Sequence, residues 1–83
     1  MSAKEMFEKL GYEERATNYC IYHSKKNKEI NLWISPKVIE CFEYNEEDER
    51  CVSSDITLQE LQAINKQVEE LGWNNEEESS DKN

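Results

Sequence analysis

The residues best suited to chemistry are the single histidine and the three cysteines. They are Cys20, His23, Cys41 and Cys51, a donor set that could hold zinc in a tetrahedral site. Cys20 and His23 lie three apart in a strand-like stretch, so their side chains are expected to point to opposite faces. Neither Cys41 nor Cys51 has a partner at zinc-knuckle spacing. The pattern favours free thiols in a reducing compartment, with no metal and no cofactor.

Catalysis by a nucleophile would need a base and an orienting group beside it. His23 is the only histidine, and its position next to a predicted hairpin tip favours a solvated ring. The chain contains no nucleophile-elbow, phosphate-loop or dinucleotide-binding pattern, and it has only two glycines. The sequence therefore indicates a protein that is not an enzyme.

The charge pattern bears on the class of partner. Lys25, Lys26 and Lys28 could touch phosphates from a β-ribbon tip. However, the net charge is −9, with seven basic and five acidic residues in 1–37 but three and fourteen in 38–83. This field repels nucleic acid and anionic membranes, and it would suit a basic protein partner. Because no 18-residue apolar run occurs and the N-terminus is charged, we expect a cytoplasmic protein.

One amphipathic helix after Thr57 organises the predicted fold. Thr57 and Glu60 form a capping box, Ile56 and Leu61 are placed as a hydrophobic staple, and Gly72 provides a left-handed stop. The apolar stripe of this helix comprises Leu58, Leu61, Ile64, Val68 and Leu71. A shorter helix over 3–10 is capped by Ser2 and ends at Gly11-Tyr12, which matches the Gly72-Trp73 ending of the long helix.

Between the helices the composition predicts strands. Residues 17–23, 29–34 and 38–44 are rich in β-branched and aromatic side chains, with a hairpin tip near Asn27 and a turn at 35–37. Residues 51–54 are a candidate fourth strand, and 13–16 are predicted to be a polar connection. The fold class is therefore α+β: a two-layer, antiparallel three- or four-stranded meander packed on the C-terminal helix. Residues 1–73 form the predicted domain, and the acidic tail 74–83 is predicted to be disordered.

The sheet face away from the long helix is the candidate interaction surface. Since Ile30, Leu32 and Ile34 alternate toward the helix, Trp33 must point the other way. Tyr22 and Cys20 are expected beside it, together with Phe42 or Cys41, because the pattern of 38–44 leaves its inward side open. The candidate residues are Cys20, Tyr22, Trp33 and Phe42. The alternative is that the N-terminal helix covers this face with Met6, Phe7 and Leu10.

Three segments carry a family resemblance: Phe7–Tyr12, Ile56–Ile64 and Glu70–Trp73. With a strand-rich middle between them, they resemble small uncharacterised proteins encoded by phages and prophages of Gram-positive bacteria. The resemblance implies a bacterial cytoplasmic setting and carries no site residue. The expected function is a small acidic protein-interaction module acting on a host or phage protein. The alternative is a homodimeric structural protein that packs through its open sheet face.

Overall fold

The computed structural model describes residues 1–47 and 49–73, so the predicted tail 74–83 lies outside the described residues. In this described part of the chain, two helices flank five strands in chain order. The elements are α1 (Ala3–Lys9), β1 (Glu13–Ala16), β2 (Cys20–Lys25), β3 (Lys28–Trp33), β4 (Val38–Asn45), β5 (Arg50–Ser53) and α2 (Leu58–Glu70). The strands form one antiparallel sheet in the order β1-β2-β3-β4-β5. The predicted α+β meander is confirmed, with five strands.

Strand β1 is the element that the sequence reading missed. The stretch Glu13–Ala16 was predicted to be a polar connection, but it pairs with β2 along its length, with Glu14 opposite His23. It is an edge strand with mainly exposed side chains, so its sequence needs no apolar alternation. Thr17 makes the turn into β2, and its hydroxyl accepts from the backbone N–H groups of Tyr19 and Cys20.

Both helices begin as their sequences predict. The Ser2 hydroxyl accepts from the backbone N–H of Glu5, and the Glu5 carboxylate accepts from the backbone of Ser2. Thr57 and Glu60 form the same reciprocal pair at the start of α2. Each capping box satisfies donors that would otherwise lack partners at the helix end.

Both helices also end by the shared device of a glycine followed by an aromatic residue. Gly11 has φ +94° and Gly72 has φ +75°, backbone conformations that side chains with a Cβ rarely adopt. After α1, the N–H groups of Gly11 and Tyr12 donate to Glu8 and Phe7 carbonyls, both at 3.0 Å, which is a Schellman motif. The following aromatic residues, Tyr12 and Trp73, are both buried in the core.

The two helices lie on the same side of the sheet. The Phe7 ring of α1 stacks on the His23 ring of β2, with centroids 3.6 Å apart, and Gln67 of α2 contacts the same His23. The central cluster of the core comprises Phe7, Tyr12, Ile30, Leu32, Ala63, Ile64 and Trp73. The alternative prediction, that the N-terminal helix covers the far face, is therefore wrong.

Helix α2 is rotated relative to its predicted apolar stripe. Leu58 is 71% exposed and Leu61 44% exposed, whereas Glu60 and Gln67 are buried with Ala63 and Ile64. Burying the two polar residues is tolerated because each has a hydrogen-bond partner from the sheet or from the segment after α1. Ile56, which was predicted to form a hydrophobic staple with Leu61, is exposed as well.

Strand register settles which side of β4 faces the helices. Cys41 lies opposite Ile30, and Ile39 lies opposite Leu32. Directly opposed residues of antiparallel strands share a face, so Cys41 lies on the helix side and packs against the core. Phe42 consequently lies on the other side, which the sequence had left undecided.

Candidate interaction surface

The open face is defined here as the sheet side opposite the two helices. All four predicted surface residues lie on it by strand register, since Cys20 opposes Trp33, and Tyr22 is two residues from Cys20 on β2. Phe42 shares this side because it opposes Glu29, which is an even number of residues from Trp33. The chain therefore brings the four residues to one face, but not with equal exposure.

Cys20 forms part of the floor of this surface. Its side chain is fully buried, and its thiol lies 3.7 Å from the backbone carbonyl of Ile21. Burial raises the pKa of the thiol, so Cys20 is a weak nucleophile near neutral pH. Tyr22, Trp33 and Phe42 are half-buried, which leaves their rings for contact with a partner.

The centre of the open face is an aromatic pair with a carboxylate beside it. The rings of Tyr22 and Trp33 meet edge to face, with centroids 6.1 Å apart, a favourable geometry for two aromatic quadrupoles. The indole Nε1 of Trp33 donates to Glu40 Oε1 at 2.5 Å. These contacts hold the indole in one orientation, which lowers the entropy that binding would otherwise cost.

A central row of four side chains crosses the open face from β1 to β4. It consists of Arg15, Tyr22, Asn31 and Glu40, each opposite the next in strand register. The Arg15 guanidinium lies over the Tyr22 ring, 5.9 Å from its centroid. The row thus begins with a cation and ends with a carboxylate.

Asn31 is the unusual member of the central row. The residue is only 4% exposed, and its side-chain Oδ1 has no hydrogen-bond partner within the described part of the chain. A buried acceptor without a donor costs about 1–3 kcal/mol. An apolar side chain would remove that cost, so stability alone does not account for asparagine at this position.

Sequence reasoning missed several members of the open face. Tyr44 is 42% exposed and opposes Cys51 at the β5 end, where a shallow pocket of about 280 Å³ also includes Phe42. Arg15 could not be placed because its strand was not predicted. The period of β3 by itself places Asn31 on the same side as Trp33, whereas Glu40 could not be placed because the pattern of 38–44 leaves its inward side open.

The helix side contains a buried polar cluster of a different kind. Tyr12 Oη donates to Glu60 Oε2 at 2.7 Å, and Lys28 Nζ donates to Glu60 Oε1 at 2.8 Å and to the Asp55 carbonyl at 2.7 Å. Burial alone would raise the pKa of Glu60, but hydrogen bonds from Lys28, the Thr57 backbone and Tyr12 lower it to about 2. The carboxylate is therefore ionised, and its contacts tie α2 to the hairpin.

His23 is also on the helix side and is fully buried, so the prediction of a solvated ring is wrong. The ring is covered because Phe7 of α1 stacks on it. Nε2 lies 3.2 Å from Gln67 Oε1, an acceptor that suits the ring tautomer with its proton on Nε2, and Nδ1 is buried without a partner among the described residues. Burial lowers the pKa of His23 to about 4, although the hydrogen bond to Gln67 acts in the opposite direction.

The four possible zinc ligands are divided between the two faces. His23 opposes Ile30, which opposes Cys41, so both lie on the helix side, whereas Cys20 and Cys51 lie on the open face. Among residues 1–47 and 49–73, no group of three or more histidine, cysteine or acidic side chains could hold a metal ion.

Two lysines of the hairpin tip make contacts within the molecule. Lys28 is paired with Glu60, and Lys25 Nζ lies 4.7 Å from the centroid of the Tyr12 ring and within 3.5 Å of the Leu10 carbonyl. A phosphate would have to compete with these contacts for both ammonium groups.

Within the described ranges, no helix combines the length and apolar character needed to cross a membrane. No protein-family model, curated protein or solved structure matches the chain. The case for function therefore depends on the geometry of the open face.

Proposed function

We propose that the protein is a non-enzymatic interaction module that binds a protein surface through its open face. The observation that carries this proposal is the placement of α1 and α2 on one side of the sheet. Within the described part of the chain, this placement leaves no helix over Tyr22, Trp33 and Phe42, which are half-buried. Aromatic patches with a polar rim typically mark protein contact sites.

The shape and charge of the open face favour a protein over other ligands. The face is a broad surface, and the pocket at its edge is, at about 280 Å³, just below the usual size range for small-molecule sites. Glu13, Glu29 and Glu40 lie on this side against Arg15, so nucleic acid phosphates would be repelled. Tyr and Trp are frequent among residues that dominate protein binding energy.

Self-association through the same face is the second candidate, and the order of charges along the central row favours it. The resemblance to phage and prophage proteins, and with it a host or phage partner, stays a prediction. The resemblance is the reason for choosing a Gram-positive bacterial lysate as the source of partners.

A pull-down from Gram-positive bacterial lysate tests the proposal. The baits are the wild type, Trp33→Ala and the control Leu58→Ala, which removes a 71% exposed apolar side chain from α2 on the opposite side. We expect a specific partner to be retained by the wild type and by Leu58→Ala, and to be lost by Trp33→Ala. A partner retained by Trp33→Ala but lost by Leu58→Ala would place binding on the helix layer and contradict the proposal.

A further inference from the structure

We infer that the open face docks onto the open face of a second copy of this chain, about a two-fold axis parallel to the strands and between β2 and β3. This inference rests on the proposed function, because it names the occupant of the same surface. Its basis is the order of the side chains across the sheet.

The proposed axis determines which strands face each other. Stacked sheets lie about 10 Å apart, and their strands stay nearly aligned. Rotation about an axis along the strands reverses strand order in the second copy, so β1 faces β4 and β2 faces β3. Strand β5 lies outside this overlap. Each row of side chains in one copy then faces the same row of the other copy, in reverse order.

Reversal makes the central row complementary to itself. Arg15 of each copy faces Glu40 of the other, which gives two opposite-charge pairs at the two sides of the interface. Between them, Tyr22 of each copy faces Asn31 of the other. Both are uncharged side chains, so the two opposite-charge pairs carry the complementarity of this row.

The neighbouring rows are compatible with the same axis. One row contains Glu13, Ser24, Glu29 and Phe42 across β1 to β4. On reversal, Glu13 faces Phe42 and Ser24 faces Glu29, so no two carboxylates of this row oppose each other. In the row on the other side, Cys20 of each copy faces Trp33 of the other, so each indole packs against an apolar position.

A two-fold axis perpendicular to the strands would instead bring like charges together. It would place the central row against itself without reversal, so that Arg15 would face Arg15 and Glu40 would face Glu40. Like charges that directly oppose each other are destabilising. The order of charges on the open face therefore selects one of the two simple arrangements.

The size of the overlap predicts a dissociable dimer. Four strands at about 4.8 Å and six residues at about 3.3 Å describe a patch of roughly 20 by 20 Å, or about 800 Å² over both copies. Stable complexes bury about 1,200–2,000 Å² of accessible surface. The expected association is weak, in the micromolar range.

Charge reversal with purified protein provides the test. Arg15→Glu and Glu40→Arg each place like charges opposite each other twice in a symmetric dimer, so each should raise the dissociation constant at least about tenfold. A mixture of the two variants restores both opposite-charge pairs. The carboxylate introduced at position 15 of one copy then faces the guanidinium introduced at position 40 of the other, and the remaining pair is the natural one. We expect the mixture, and the double variant, to associate like the wild type.

Sedimentation from about 1 µM to about 1 mM covers the expected range. Lys4→Glu and Glu8→Arg are the controls, because they make the same changes in net charge on exposed positions of α1 and should leave association unchanged. A monomeric wild type, or a dimer that both reversals leave intact, would overturn the inference. If the wild type is monomeric while Trp33→Ala still loses a lysate partner, the proposed function survives without this occupant.

Discussion

The two faces of the sheet differ in what covers their polar groups, although each side has one buried atom without a partner among the described residues, His23 Nδ1 on the helix side and Asn31 Oδ1 on the open face. On the helix side, Glu60 is buried but accepts hydrogen bonds from Tyr12 and Lys28. On the open face, Asn31 is buried with an Oδ1 that has no partner among the described residues, and Trp33 is half-buried without a helix over it. The same strands supply both faces, so the difference lies in what covers them. We therefore expect the helix side to contribute more to stability, while the proposed binding would use the open face.

The first contrast is between two adjacent residues of β3 that point in opposite directions. Leu32→Ala should lower the free energy of unfolding by about 3 kcal/mol, because it opens a cavity in the core. Trp33→Ala should cost less, about 2 kcal/mol, because the indole is only half-buried and loses part of its apolar burial together with the edge-to-face contact with Tyr22. Urea denaturation at pH 7 measures both values. Equal losses would show that the open face is packed as tightly as the core.

The next contrast compares a buried with an exposed carboxylate of α2. Glu60→Gln should cost about 3 kcal/mol, because it leaves the Lys28 ammonium largely buried without a counter-charge. The matched control is Glu69→Gln, which breaks an exposed contact with Lys66 at 3.5 Å and should cost less than about 0.5 kcal/mol. Thermal melts of both variants test this. A similar small loss for both would mean that Glu60 is solvated.

Acid should weaken the helix side through His23. Its folded pKa of about 4 lies below the unfolded value of 6.5, so the unfolded state binds more protons between these values. The free energy of unfolding should therefore fall by up to about 3 kcal/mol as the pH drops from 6.5 to 4. Glu60 has an unfolded pKa of 4.5 and a folded pKa of about 2. It therefore adds to the loss of stability only below pH 4.5, where the unfolded state takes up a proton that the folded state does not.

Urea denaturation across this pH range checks the effect, with His23→Gln as the comparison. The variant lacks the titrating ring, so its stability should depend much less on pH between 6.5 and 4.5. The same slope in wild type and variant would assign the acid sensitivity to other groups.

The smallest expected effect has the opposite sign. Asn31→Val should raise the free energy of unfolding by about 1 kcal/mol, because it removes a buried unpaired acceptor and favours the strand. Gln67→Leu on the helix side should instead destabilise, because His23 Nε2 would lose its acceptor. Measured by the same urea denaturation, a destabilised Asn31→Val would mean that the asparagine has a stabilising partner in solution.

The parts of the fold that follow local rules could be predicted from the sequence. Ser2 and Thr57 begin their helices as expected, and Gly11 and Gly72 end them, because capping depends on a few neighbouring residues. The alternation of β3 was equally readable. It was sufficient to place Trp33 on the open face.

The parts that depend on distant contacts could not be predicted. The rotation of α2 is set by partners of Glu60 that lie 32 and 48 residues away in the chain. The burial of His23 depends on Phe7 of α1. Strand β1 carries no apolar alternation because it is an edge, so it was missed together with Arg15 and the charge order of the central row.

The backbone N–H of Ala3 donates to Glu70 Oε2 at 2.9 Å, which brings the start of α1 next to the last turn of α2. Residues 67 positions apart in the chain are thereby neighbours in space, on the side of the sheet opposite the open face. An affinity tag or a fluorophore attached at Met1 would leave the aromatic surface unobstructed. Immobilising the protein through that end would present this surface outward, toward molecules in solution.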